Sequence, residues 1–79
     1  MKYTVDFNNG LMLRSNTLLG AKRLALKRSG YTQRNIQIYD DAGNLVASSE
    51  WIPGVPEKKS EVLCRFGSFG FYKKWKDYL

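Results

Sequence analysis

Residues 65–79 read RFGSFGFYKKWKDYL and concentrate the groups of this 79-residue chain best suited to recognition chemistry. Phe66, Phe69, Phe71, Tyr72, Trp75 and Tyr78 are interleaved there with Arg65, Lys73, Lys74 and Lys76. Aromatic faces stack nucleobases, and mobile cations beside them neutralise phosphates. The same side chains can instead close a small core, leaving the lysines on a solvated edge. The sequence leaves both uses open. A nucleic-acid surface would widen with Arg14, Lys58 and Lys59, and with Arg23 and Lys27 on a central helix. A protein-binding use would make the aromatic C-terminus the hot spot, since Trp, Tyr and Arg dominate such sites. A homodimer burying Trp75 is one form of that use.

Other chemistries find less support. The chain has no histidine, which removes zinc fingers, Ser-His-Asp triads, Cys-His dyads and histidine bases. Asp40 and Asp41 are the adjacent carboxylates, and Asp favours turns because its side chain bonds nearby backbone. A carboxylate nuclease needs two or three such groups converging on a cation. Gly67-Ser68-Phe69-Gly70 is too short for a phosphate loop and lacks the lysine at the required offset. Cys64 alternates with Val62 and Phe66, which places it as a small buried apolar residue, with Arg65 on the other face of the strand. A non-enzymatic protein without metal or cofactor is expected.

Length and composition set the frame. The chain is short enough to form a single domain over residues 1–79. Apolar content of 43% and charged content of 25% are those of a folded protein. A net charge of +6 suits an anionic partner: nucleic acid, an acidic protein surface or an anionic membrane. Of these, nucleic acid or an acidic or nucleoprotein surface is expected, and no membrane. No apolar run approaches the ~20 residues of a membrane span. One cysteine allows no intramolecular disulfide, and polarity alternates from residue 2 onwards with no leader visible. A cytoplasmic location is expected.

Several elements must position these residues. Residues 2–7 alternate, with Tyr3, Val5 and Phe7 on one face, and Leu11, Leu13 and Arg14 continue in a second strand. A three-residue loop, Asn8-Asn9-Gly10, sets Phe7 against Leu11 and Val5 against Leu13, so that the apolar faces match. Arg14 then lies opposite Thr4 on an outer face with Gln37 and Tyr39. A helix follows, capped by Asn16 or Thr17 and stopped by Gly30, with Leu18, Ala21 and Ala25 on its buried face. Arg23 and Lys27 lie on the opposite face, and Lys22 snorkels at the apolar edge. Ile36 and Ile38 mark a third strand. Residues 45–51 return as its partner, pairing Ile38 with Val46 or, in a register slipped by one residue, with a neighbour of Val46. Residues 52–60 form a loop and 61–66 a fifth strand. Phe71, Trp75 and Tyr78 recur at helical spacing, which predicts a short C-terminal helix over 71–79. The expected fold is α+β, one antiparallel sheet of about five strands packed on one helix in the order β-β-α-β-β-β.

Two resemblances follow from these residues. Phe69-Gly70-Phe71 matches part of the aromatic core of the RNA-recognition motif, but Gly67, Ser68 and Lys74 depart from it, as does the element order. V-D-F-N-N-G-L-M-L, T-L-L-G-A-K-R-L-A and I-Q-I-Y-D-D-A-G-N-L-V, within residues 3–47, resemble the layout of small accessory proteins of bacteriophages and mobile elements. That resemblance implies an inhibitor of host machinery, anti-CRISPR-like, acting by binding in the host cytoplasm. Many such inhibitors are acidic mimics of nucleic acid. A charge of +6 departs from that pattern and points to an acidic host surface or a nucleoprotein instead.

Overall fold

The computed structural model describes residues 2–28 and 33–78. Strands β1 (Tyr3–Asp6) and β2 (Met12–Ser15) form an antiparallel hairpin. Val5 faces Leu13 and Thr4 faces Arg14, the register that matches apolar side chains across the pair. The Phe7 N–H donates to the Leu11 carbonyl at 3.2 Å. Between them Asn8 (φ 58°) and Gly10 (φ 91°) take left-handed backbone, which Asn tolerates and Gly adopts without penalty.

Helix α1 (Leu18–Arg28) begins where the Thr17 hydroxyl accepts the Gly20 N–H at 2.9 Å, which makes Thr17 the cap. Ala21 and Ala25 are fully buried, so the helix lies close against the sheet. The expected stop at Gly30 falls outside the described residues.

Strands β3 (Ile36–Tyr39) and β4 (Leu45–Ser49) form the second hairpin. Ile38 pairs with Ala47 and Tyr39 with Leu45, so the register is slipped by one residue from an Ile38–Val46 pairing. Val46 is the extra residue of a β-bulge. The bulge lets Val46 and Ala47, neighbours in sequence, both be buried.

The chain leaves this sheet at Glu50, so residues 45–51 are not one strand. The Trp51 N–H donates to Asn35 Oδ1 at 2.9 Å, and the Glu50 carbonyl accepts the Lys73 N–H at 2.9 Å. Those two bonds replace the ladder and redirect the backbone. Strand β5 (Trp51–Pro53), a 3₁₀ turn at Lys59–Glu61, β6 (Val62–Phe66), β7 (Gly70–Lys73) and β8 (Lys76–Asp77) complete the fold. One sheet runs β2-β1-β3-β4-β8 and a second runs β5-β7-β6, with every pairing antiparallel.

The fold is therefore α+β, but with eight strands in two sheets among the described residues rather than one five-stranded sheet. The expected C-terminal helix is also corrected: 70–73 and 76–77 are strands. Phe71 and Tyr72 are adjacent and both buried, so side chains on both faces of β7, the central strand of its sheet, are shielded from solvent. Tyr72 joins the core shared by Val5, Phe7, Ile36, Ile38 and the helix alanines. Its ring meets Trp51 edge-on at 5.0 Å and Phe66 at 6.0 Å, an aromatic cluster that locks the second sheet to the first. The Tyr72 hydroxyl donates to the Arg34 carbonyl at 2.8 Å.

Candidate binding face

In the five-stranded sheet, helix α1 and the aromatic cluster cover one face. Val5, Ile36, Ile38, Ala47 and Ser49 point to that side and are buried. Alternation then fixes what the other face carries. Cross-strand pairing lays out two rows there. One runs Met12–Asp6–Gln37–Ser48–Lys76 and the other Arg14–Thr4–Tyr39–Leu45. Tyr78, two residues beyond Lys76, sits beside the second row, its N–H donating to the Val46 carbonyl at 3.0 Å.

An open cleft of about 610 Å³ lies where this face meets the second sheet. Its lining includes Asn35, Gln37, Ser48, Ser60, Tyr78 and all three lysines of the tail, Lys73, Lys74 and Lys76. Glu50 and Glu61 complete the charged groups. Backbone bonds fix the lysine positions: the Lys73 N–H donates to the Glu50 carbonyl and the Lys74 N–H to the Glu61 carbonyl, each at 2.9 Å. Lys76 Nζ lies 5.4 Å from the centre of the Tyr78 ring. Among the described residues none of the three ammonium groups is within salt-bridge reach of a carboxylate.

The cleft sets the donors of three lysines and two amides beside the carboxylates of Glu50 and Glu61. Gln37 Oε1 already accepts the Tyr39 hydroxyl at 3.1 Å, and Asn35 Oδ1 accepts the Trp51 N–H. Each oxygen has one acceptor site in use, and the amide nitrogens stay available as donors alongside three ammonium groups. Such a site fits a ligand rich in acceptor oxygens.

A second open cleft of about 370 Å³ lies at the far end of the same face, lined by Lys2, Thr4, Met12, Arg14, Tyr39 and the Asp40–Gly43 turn. Asp40 belongs to that turn. Its Oδ1 accepts the Asn44 N–H at 2.8 Å and the Ala42 N–H at 3.0 Å. These bonds, the Asn44 N–H foremost, hold the Asp40 carboxyl below its ordinary pKa. Among the described residues no three His, Cys, Asp or Glu side chains are grouped so as to hold a metal ion.

The structure disperses the expected binding residues. Lys73, Lys74 and Lys76 share the cleft, and Arg14 shares their face at its other end. Arg23 and Lys27 are exposed on α1, in the opposite layer. Trp75 is half-buried against the core, with Lys22 Nζ 5.9 Å from its ring centre, so it is separated from the lysines beside it in sequence. Lys22 also pairs with Asp77 at 2.8 Å. Lys58 and Lys59 lead into the 3₁₀ turn whose Ser60 and Glu61 reach the cleft. Arg65 is exposed on β6, its Nε donating to the Gly67 carbonyl at 3.2 Å. Cys64 is half-buried and free.

Asn35, Ser48, Ser49 and Ser60 are the cleft residues that the sequence pattern does not single out. Ser48-Ser49-Glu50, a polar run inside an apparent strand, is the signal that marks the change of sheet.

Comparison with protein-family models, with curated proteins and with solved structures finds no match to this chain. No helix among the described residues is long and apolar enough to cross a membrane.

Proposed function

We propose that this is a non-enzymatic binding protein that engages nucleic acid, free or within a nucleoprotein, through the open face of its five-stranded sheet. The observation that carries this reading is the cleft that gathers Lys73, Lys74, Lys76 and the Tyr78 ring around the free amide donors of Gln37 and Asn35. Lysines supply phosphate contacts, the ring supplies stacking, and the amides meet carbonyl acceptors on base edges. Titration with labelled oligonucleotides at several salt concentrations tests it. Binding that weakens with salt and is lost in a Lys74→Glu/Lys76→Glu variant supports the reading. Binding indifferent to that variant contradicts it.

A second reading has its own observation. Helix α1 contains Lys22, Arg23, Lys27 and Arg28 and no acidic residue. Leu19 and Leu26 are 60% and 38% exposed beside Arg23 and Lys27 on its outward side. Exposed leucines beside Arg23 and Lys27, which form no ion pair among the described residues, suit an acidic protein surface better than a phosphate backbone. This is the face a phage-type, anti-CRISPR-like inhibitor or adaptor would use on a host protein. Arg23→Glu/Lys27→Glu would then abolish partner binding and leave oligonucleotide binding intact.

A further inference from the structure

The proposed nucleic-acid reading of the open face leaves its substrate class unstated, and the geometry points to one. We infer that the ligand is a single strand, laid across the strands of the sheet from Arg14 to Lys76, with bases stacked on Tyr39 and Tyr78. This inference rests on the reading of that face as a nucleic-acid site.

Charge is the first argument. Lys2, Arg14, Lys73, Lys74 and Lys76 line the two clefts, but Asp40, Asp41, Glu50 and Glu61 line them too, and Asp6 lies between. Basic and acidic groups balance on this face. A duplex offers mainly phosphates to a flat surface, and phosphate contacts alone need a clear excess of cations. Stacking must therefore supply much of the affinity, and only the unstacked bases of a single strand offer a free face to the tyrosine rings.

Placement is the second argument. Tyr39 stands in the Arg14–Thr4–Tyr39 row, and Tyr78 stands two strands away beside Lys76. Each hydroxyl is tied to a neighbour on the sheet, Tyr39 to Gln37 Oε1 at 3.1 Å and Tyr78 to Ser48 Oγ at 3.2 Å. Both rings are thus held at fixed positions on the open face, with cations at either end. Five strands at ~4.8 Å spacing give a span of about 19 Å between the outer two. That span accommodates about four nucleotides, the lower end of the range for sheet-borne single-strand sites.

The test is fluorescence anisotropy of labelled dT and rU oligomers of two, four and eight nucleotides and of a 12-base-pair duplex, at 50 and 200 mM salt. The expected result is binding of the four- and eight-residue single strands with similar affinity. The two-residue strand should bind at least tenfold more weakly, and so should the duplex. With about three phosphates contacted, affinity should fall roughly 20-fold between the two salt concentrations. Tyr78→Ala, at a residue 47% exposed, should weaken single-strand binding by about 5- to 150-fold. Tyr78→Phe should retain binding, because the ring is kept. A duplex bound as tightly as the single strand, and weakened by Lys74→Glu/Lys76→Glu, would overturn the single-strand assignment while leaving the face as a nucleic-acid site. No binding of any oligonucleotide at 50 mM salt would overturn both.

Discussion

Gln37 and Ser48 are cross-strand partners on the open face of the sheet, and each holds a tyrosine. Gln37 accepts the Tyr39 hydroxyl and Ser48 shares a hydrogen bond with that of Tyr78. Two small polar side chains thereby set the positions of two aromatic rings on a surface that no helix covers. The lysines of the tail are brought to the same place by backbone bonds from Lys73 and Lys74 to Glu50 and Glu61. Recognition chemistry and fold are joined at the point where the chain passes from one sheet to the other.

The salt response should report the cleft lysines. Each phosphate contact on a single strand contributes about 0.7 to the log–log slope. Lys74→Ala/Lys76→Ala should therefore reduce the slope by about 1.4 and weaken all sequences alike. Arg23→Ala, on the opposite layer, should leave the slope unchanged. Isothermal titration at four salt concentrations checks both.

Gly70 should tolerate no side chain. A Cβ there would meet the Trp51 ring and lie 2.7 Å from the Ile52 carbonyl oxygen, a backbone atom that cannot move away cheaply. Gly70→Ala should cost about 1–3 kcal/mol, read as a lower midpoint in urea with unchanged slope. A midpoint equal to the parent's would mean that β5 and β7 are not as close as described.

Truncation after Gly70 should abolish folding. It removes Phe71 and Tyr72, both buried, and with them the centre of the second sheet and part of the shared core. Circular dichroism and thermal melting of the truncated chain check this. A cooperative melt would show the C-terminal segment to be an appendage.

Much of the first half of the fold is legible in the sequence, and the reason is local. Val5 and Leu13 can face each other only across a three-residue loop, and Asn8-Asn9-Gly10 supplies the left-handed residues for it. Thr17 and the alanines of α1 likewise act within a few residues of themselves. The second half resists for the opposite reason. Phe71, Trp75 and Tyr78 recur at helical spacing, but three different surroundings hold them: the second sheet, the core beside Lys22, and the open face. Strand pairing with Trp51–Pro53 and Val62–Phe66 decides the matter, and periodicity over nine residues carries no trace of it. Lys73, Lys74 and Lys76 stay together because backbone bonds to Glu50 and Glu61 anchor the chain where it passes from the second sheet to β8. The wider patch with Arg23 and Lys27 does not form, because sequence charge carries no information about which layer a residue occupies.

Asp40 gives the fold a measurable acid dependence. Its carboxylate is stabilised by turn hydrogen bonds, so its folded pKa is below the unfolded value near ~3.9. The stabilising contribution is therefore fully present above the unfolded pKa and is lost as pH falls through the lower folded value. Asp40→Ala should lower the melting temperature at pH 7, and the gap to the parent should close only as pH falls below about 4. A gap independent of pH between 7 and 2 would mean that the carboxylate charge is not what the turn uses.

The central claim is the location of the binding face. The most direct measurement is the change in amide and side-chain NMR shifts of the labelled protein on adding an eight-nucleotide single strand. The expected perturbations fall on Gln37, Ser48, Lys74, Lys76 and Tyr78, extending to Tyr39 and Arg14, with Leu19, Arg23 and Leu26 unmoved. Perturbations confined to α1 would contradict the account and place recognition on the helix layer.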